Sequence, residues 1–320
     1  MPHSHHSHSG QFCKHASGTL GEVVLEAIKQ GFDVYGLTEH APRYRVEDLY
    51  PEEEGLALDV LRTQFDQFLD EAHRLKETYA GRINLFVGLE TEFITEVDIT
   101  NLEVTLKRHE GRIEYLVGSI HHANGIPIDF DEPTFQKCLA SFGGGTSSSA
   151  SASAAHKQME AYLCSYFDAQ YEVLQRLHPE VIGHIDLCRL YNPSLRLADY
   201  PRAWEKLERN IRYAIEYDAL FELNAAALRK KWDTSYPGED VAQLIMKHSG
   251  RFALSDDSHG PHAVGLDYDR MAGYAQRIGI NELWTLERKE RRNAGGRYLH
   301  PVKVEGDCWK HVFWERRGSQ

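Results

Sequence analysis

Seven histidines and two carboxylates lie at or just after the points where short apolar segments of the chain end. The histidines are His6, His8, His15, His40, His121, His184 and His259, and the carboxylates are Glu90 and Asp257. Imidazole and carboxylate groups together bind borderline divalent cations such as zinc, manganese and iron. So many candidate ligands predict a multinuclear metal site, and such a site favours hydrolysis by a metal-activated water.

Two pairs of candidate ligands are spaced two residues apart, as His6-Ser-His8 and Asp257-Ser-His259. Side chains at that spacing point to the same face of a strand, so each pair can supply half of a metal site. Asp256 would face the other way and is predicted to be structural. The histidine-rich start also resembles an expression tag, but it runs without a linker into Gln11-Phe-Cys-Lys-His15, which favours the ligand interpretation.

The elements that must position these residues alternate between apolar strands and amphipathic helices. A capping box at Thr19 to Glu22 predicts the start of the first helix. Strands are predicted at 33–38, 83–89, 115–120, 181–182, 220–223 and 252–254, and further helices at 55–80, 158–177 and 201–217. Repeated βα units with short apolar strands predict an α/β fold with a parallel sheet, closed as a barrel. In such a barrel the working face is formed by the C-terminal ends of the strands, where the candidate ligands fall.

The chain of 320 residues is predicted to form a single domain over 1–320. A Gly-, Ser- and Ala-rich stretch at about 143–156 has nothing to bury and is interpreted as a flexible insertion on the surface. A linker between two independent domains is the alternative. It is less favoured because the histidines of both halves are needed to complete one site.

Composition limits the classes of function. A formal net charge of -12 disfavours a nucleic-acid binder, which would show a basic face. The five cysteines contain no CxxC pair and are expected to be reduced thiols. With no apolar run of ~18 residues and no secretory signal, the expectation is a cytoplasmic protein with no membrane partner. The sequence does not indicate an oligomeric state.

Taken together, the motifs resemble those of the polymerase-and-histidinol-phosphatase (PHP) superfamily, and within it the fungal type of histidinol-phosphatase of histidine biosynthesis. The resemblance extends from residue 3 to about residue 285. The segments that carry it are His6-Ser-His-Ser-Gly-Gln-Phe-Cys13, Gly36-Leu-Thr-Glu-His-Ala-Pro42, the Gly-x-Glu motif ending at Glu90, Gly118-Ser-Ile-His-His122, Gly183-His-Ile-Asp-Leu-Cys-Arg189 and Ser255-Asp-Asp-Ser-His259.

The resemblance implies a distorted, TIM-like (β/α)7 barrel that holds two or three divalent ions (Zn, Mn or Fe). By motif, one ion would be bound by His6, His8, Glu90 and Asp257, and a second by His15, His40 and His259. A third would be bound by His121 and His184, with Glu90 as a bridge. Asp257, His259 and Glu90 are the expected catalytic residues. Many relatives have an aspartate where this chain has Ser4, so an outer partner that orients His6 is expected to be missing.

The activity implied by the resemblance is hydrolysis of L-histidinol phosphate, a small phosphate ester, to L-histidinol and phosphate. A metal-bound hydroxide would attack phosphorus while an arginine neutralises the phosphoryl oxygens. The candidate arginines are Arg229, Arg189 and Arg43. The leaving alkoxide could take a proton from a metal-bound water, from His262 or from Asp186.

Three other functions are compatible with parts of the pattern. A phosphoesterase of the same superfamily could act on nucleotides or other small phosphate esters. A metal-binding scaffold without activity would be expected to have lost ligands, whereas every motif position is filled here. A zinc amidohydrolase also uses a barrel and His-x-His, but it typically needs a ligating lysine, and no lysine occupies a strand end in this pattern.

Overall fold

The computed structural model describes residues 2–143 and 152–315. Its centre is a seven-stranded parallel sheet whose strands follow one another in space in chain order. The strands are β1 (His3–Ser4), β2 (Val34–His40), β3 (Asn84–Glu90), β4 (Tyr115–Gly118), β5 (Val181–Ile182), β6 (Leu220–Asn224) and β7 (Arg251–Ser255). The first and last strands approach each other, with the amide of His5 donating to the carbonyl of Leu254 at 3.3 Å. The sheet is therefore nearly closed into a barrel, which confirms the predicted (β/α)7 class.

Helices connect the strands and pack around the barrel. They are α1 (Leu20–Gln30), α2 (Leu58–Thr78), α3 (Glu96–Arg108), α4 (Glu132–Ala140), α5 (Ala152–Leu177), α6 (Pro201–Glu216), α7 (Ala226–Arg229), α8 (Glu239–Lys247), α9 (Tyr268–Arg277) and α10 (Val312–Glu315). Short 3-10 turns lie at Val46–Asp48, Pro51–Glu53, Leu187–Arg189, Leu197–Asp199 and Pro261–Ala263. The capping box at Thr19 is present, with Glu22 bonded back to the Thr19 backbone.

Most predicted boundaries agree with the structure to within a few residues, but α5 begins at Ala152 and not at Gln158. The alanines of the low-complexity stretch are good helix formers, and they extend the helix towards its N-terminus. Residues 144–151 of the predicted flexible insertion lie outside the described residues. All five cysteines are free and buried. None of the described helices combines the length and apolarity needed to cross a membrane.

An antiparallel hairpin closes the barrel at the end where its strands begin. It pairs Trp284–Arg288 with Leu299–Lys303. Leu286 and Leu299 of the hairpin pack with Val34 and Leu220, the first residues of β2 and β6. The candidate ligands lie at the opposite end of the barrel, where the strands terminate.

Gly36 in β2 lies where the interior of the barrel leaves no room for a side chain. A Cβ at this position would overlap the Tyr115 hydroxyl and come within 3.0 Å of the His5 backbone. The Tyr115 hydroxyl donates to the carbonyl of His5 at 2.8 Å. The absence of a side chain at Gly36 therefore lets Tyr115 hold the segment that leads directly into His6.

Candidate metal centre

Strand pairing brings the predicted ligands together at the C-terminal ends of the strands. The two-residue strands Ser7–His8 and Ser258–His259 pair in parallel, with His8 opposite His259. In the main sheet His40, the last residue of β2, is opposite Glu90, the last residue of β3. Ligands far apart in the sequence are thus fixed as neighbours by backbone register.

The carboxylate of Glu90 is the centre of this cluster. Its Oε1 lies 3.0 Å from His184 Nε2, 3.2 Å from His121 Nε2 and 3.2 Å from His6 Nε2. Its Oε2 lies 2.8 Å from His40 Nδ1 and 3.3 Å from His8 Nε2. Five imidazoles from four barrel segments therefore converge on one buried carboxylate.

The contacts of Glu90 have the character of a metal site. Although two ring nitrogens lie within 3.3 Å of Glu90 Oε2, this buried oxygen has no hydrogen bond of acceptable geometry among the described residues. Nitrogen and oxygen atoms that face one another without hydrogen bonds are suited to bind a cation between them. The donor set fits the divalent ions that the sequence predicts.

Asp257 completes the group around the His-x-His pair. Its Oδ1 lies 3.7 Å from Nε2 of both His6 and His8, and its Oδ2 accepts a hydrogen bond from Asn224 at 3.1 Å. The backbone of Asp257 has φ 47, a left-handed conformation that non-glycine residues rarely adopt and that is common at functional sites. This turn directs the carboxylate towards the histidines, while the preceding Asp256 accepts from Ser4, Tyr35 and Gly265 in the core.

A second group of ligands lies nearer the surface. His15 Nε2 is 3.3 Å from His40 Nε2, and the donor atoms of Cys13, His15, His40 and His259 lie within 4.8 Å of one another. Nδ1 of His259 lies 3.0 Å from the Asp257 carbonyl oxygen and donates to it, which leaves Nε2 available to a cation. The structure thus brings together the three histidines predicted to share one ion, and adds Cys13 beside them.

A layer of carboxylates behind the ligands was not found from the sequence. Glu222 in β6 lies 2.9 Å from His6 Nδ1, and its other oxygen accepts from the His184 amide at 2.8 Å. Glu92 accepts from Nδ1 of both His121 and His122, at 2.9 and 3.0 Å. The expectation that the orienting partner of His6 is missing is therefore wrong, because Glu222 supplies from β6 what Ser4 lacks. A charged residue inside the apolar strand Leu-Phe-Glu-Leu-Asn was the signal available in the sequence.

The electrostatics of the cluster follow from burial and from opposed charges. Burial disfavours an imidazolium at His6, but Glu90, Asp257 and Glu222 outweigh it and raise the pKa of His6 well above its usual value. The same competition raises the pKa of His8 to about 9, whereas burial and the charge of His8 hold the pKa of His40 well below normal. Although burial alone would raise it, the pKa of Glu90 is held well below normal by the surrounding histidines. Protons on His6 and His8 thus occupy nitrogens that a cation would take, so metal binding would release them.

A cavity of about 570 Å³ opens directly over the cluster. Of the predicted arginines, Arg229 lines it, with Nη2 donating to the Asp257 carbonyl at 2.8 Å and a buried Nη1 that has no partner within the described part of the chain. The other two do not line it. Arg189 is held by Asp186 and Asp240 at 2.6 and 2.7 Å, and Arg43 is buried over the Tyr50 ring. Arg189 is therefore held in ion pairs and Arg43 lies outside the cavity lining, which leaves Arg229 facing the cavity.

The structure also distinguishes between the two side chains predicted as alternative proton donors. His262 lines the cavity, with Nδ1 3.2 Å from the Ser17 hydroxyl. Asp186 is buried in the ion pair with Arg189 and accepts from the Gly238 amide at 2.8 Å. Access to the cavity therefore favours His262.

Comparison with known proteins gives matches over most of the chain. Residues 4–226 match the family model of the PHP domain. A Schizosaccharomyces pombe protein named "Probable histidinol-phosphatase" is 43% identical over 315 residues, covering 98% of this chain and 97% of the relative. A histidinol-phosphatase of Saccharomyces cerevisiae is 33% identical over 305 residues, covering 85% and 87%.

Two solved structures share the fold. A crystal structure from Listeria monocytogenes aligns with a TM-score of 0.68 at 21% identity, covering 83% of this chain and 98% of that one. The histidinol phosphate phosphatase of Lactococcus lactis, solved with zinc, L-histidinol and phosphate, aligns with a TM-score of 0.55 at 16% identity and covers 93% and 98%.

Proposed function

The chain belongs to the PHP domain family, and we propose on that premise that it is a metal-dependent phosphomonoesterase that hydrolyses L-histidinol phosphate to L-histidinol and phosphate. The observation that carries the proposal is the convergence of five imidazoles and Asp257 around the buried carboxylate of Glu90, at the floor of an open cavity. The fungal relatives that align with almost the whole chain bear the name of this activity.

Three divalent ions fit the proposed arrangement. His6, His8, Glu90 and Asp257 would hold one ion, His15, His40 and His259 a second, and His121, His184 and Glu90 a third. When bound, the ions supply Lewis acidity and a water acidified enough to attack phosphorus at neutral pH. Nitrogen-rich sites of this kind accept zinc, manganese or iron according to supply.

Other groups of the protein orient the ligands, bind the phosphate and supply a proton. Glu222, Glu92 and the Asp257 carbonyl fix the ring orientation of His6, His121 and His259, so that each presents Nε2 to the cluster. Arg229 is held through Nη2, and its Nη1, which has no partner among the described residues, can bind a phosphoryl oxygen. His262 would give a proton to the leaving alkoxide. The five free thiols fit a cytoplasmic location, where reduced cysteines persist.

The test is phosphate release from L-histidinol phosphate, compared with a panel of phosphomonoesters and nucleotides. Metal-stripped protein is compared with protein given Mn²⁺ or Zn²⁺. We expect metal-dependent release that strongly favours L-histidinol phosphate, lost in His8→Gln and retained in His156→Gln, which changes an exposed histidine on α5. Preferential release from nucleotides would overturn the substrate, and no release with any metal would indicate a metal-binding scaffold.

A further inference from the structure

Asp129 is a carboxylate at the cavity with one oxygen that no described residue satisfies. It lines the cavity over the metal cluster, and its Oδ1 is buried with no hydrogen bond to any described residue. An unpaired buried oxygen of this kind carries a desolvation cost that a bound donor would relieve. The position therefore calls for a ligand with N–H groups.

The other carboxylates of the cavity are already in use. Glu90 and Asp257 belong to the metal cluster, and Glu52 lies 3.1 Å from Nδ1 of His15. Among the residues that line the cavity, Asp129 alone offers a carboxylate that the metal centre does not engage.

Two aromatic residues relate Asp129 to the metal centre. Tyr50 and Tyr236 line the same cavity as Asp129. Burial raises the pKa of Tyr50 and the charge of Asp129 adds to it, while burial and the charge of Asp186 raise the pKa of Tyr236 and the charge of Asp129 again adds to them. The Tyr50 centroid lies 6.3 Å from that of His15, and the Tyr236 centroid lies 6.2 Å from that of His184. The two rings that line the cavity with Asp129 therefore lie beside the candidate ligands His15 and His184.

We propose that the Asp129 carboxylate binds the cationic end of the substrate, the ammonium or imidazolium group, while the phosphate lies at the metal centre. This inference rests on the proposed function and names the residue that selects its substrate. L-Histidinol phosphate carries its amine on the carbon next to the ester CH2 and its imidazole one CH2 beyond that carbon, so both cationic groups lie a short distance from phosphorus. Tyr50 and Tyr236, which also line the cavity, provide aromatic surface for a planar ring or a cation.

The test measures binding of the product L-histidinol by calorimetry, with Mn²⁺-loaded wild type and Asp129→Asn. Glu132→Gln, which removes one exposed carboxylate three residues away, is the matched control. We expect about 10- to 100-fold weaker binding in Asp129→Asn alone, with metal content unchanged. Imidazolylpropanol, which lacks only the amine, and 2-aminoethanol, which lacks the imidazole, show which cation is bound: the probe that carries that cation loses affinity in the variant.

The outcomes separate the two proposals. If wild type hydrolyses L-histidinol phosphate and Asp129→Asn binds L-histidinol as tightly as wild type, the role of Asp129 is refuted and the activity stands. Wild type that binds L-histidinol in an Asp129-dependent way but releases no phosphate from its ester would refute the activity alone. Failure of wild type to bind L-histidinol refutes the inference directly.

Discussion

Nδ1 of His6 lies 2.9 Å from Oε1 of Glu222, and both side chains are fully buried. Since a carboxylate only accepts, Nδ1 must carry the proton and Nε2 faces Glu90 and Asp257. Although burial alone would raise it, the pKa of Glu222 is held below normal by His6, which keeps the acceptor ionised. This contact fixes the tautomer and the ring plane of the first candidate ligand in the chain.

Replacing this carboxylate by an amide should weaken metal binding. In Glu222→Gln the amide can present its NH2 to His6, so we expect metal affinity or activity to fall about 10- to 100-fold, the range for outer partners of ligating histidines. Bound metal is measured by elemental analysis after titration with a chelator. Glu216→Gln, an exposed change on the preceding helix, should retain wild-type metal, and equal retention in both variants would contradict the role of Glu222.

Loss of the central carboxylate should be more severe. Glu90→Gln removes the charge that five imidazoles share, and we expect activity to fall by more than about 100-fold, beyond the effect of an outer partner. The measurement is kcat with excess Mn²⁺, together with metal content. Activity within tenfold of wild type would show that Glu90 is not at the centre of the reaction.

Two of the three arginines predicted for phosphate binding, Arg229 and Arg189, should differ in the property that their substitution changes. Arg229→Lys removes the guanidinium group, which donates through Nη2 to the Asp257 carbonyl and has Nη1 available to the phosphate. We therefore expect kcat/KM to fall about 10- to 100-fold with unchanged metal content. Steady-state kinetics on L-histidinol phosphate provide the measurement, with the exposed Arg196→Lys as the control. An unchanged kcat/KM would remove Arg229 from the phosphate site.

Arg189 should instead affect stability. Arg189→Met leaves Asp186 and Asp240 without their shared partner, and breaking a buried pair in this way costs about 3–5 kcal/mol. Urea unfolding of the metal-free protein measures the change. A loss below about 1 kcal/mol would indicate that the pair is dispensable for stability.

The narrow interior of the barrel gives a further stability prediction. Gly36→Ala would press a methyl group into the Tyr115 hydroxyl and the His5 backbone, with an expected cost of about 1–3 kcal/mol. Gly273→Ala on α9 meets nothing within 4 Å and should be neutral or stabilising by up to about 1 kcal/mol. Thermal unfolding of both variants measures the difference in stability. Equal stability of the two variants would show that the barrel can relax around a side chain at Gly36.

Thiol reactivity provides a test of the core. Burial raises the pKa of Cys138 from 9.0 to about 12, so at pH 8 its thiolate fraction should be about 1000-fold below that of the unfolded chain. Because the folded pKa is the higher one, the associated stability is present below pH 9 and is lost as the pH rises towards 12. Alkylation of native and urea-unfolded protein, mapped by mass spectrometry, measures the ratio. Similar rates in both states would contradict the burial.

Local periodicity was sufficient for the fold and predicted that the candidate ligands meet at one end of the barrel. The two-residue spacing of His6 and His8 predicts a shared face without any knowledge of partners, and the end of an apolar strand places Glu90 at the working face. Glu222 and Asp129 could not be found in this way, because their roles depend on side chains more than 50 residues away or on a cavity wall. Arg189 shows the opposite error. Its position after His184 favoured a role in phosphate binding, but its ion pair with Asp240 on α8 cannot be seen from the sequence.

The pairing of Ser7–His8 with Ser258–His259 also bears on how the molecule assembles. The first and last barrel strands meet here, and Ser4 contacts Asp256 across 252 positions of the chain. A cation bound by both His8 and Asp257 would join the first and last strands of the barrel. Metal binding and barrel closure would then be one linked equilibrium. A ribosome-bound chain would therefore gain its ion only after residue 259 has emerged, and scarcity of metal would lower the folded fraction as well as the rate of turnover.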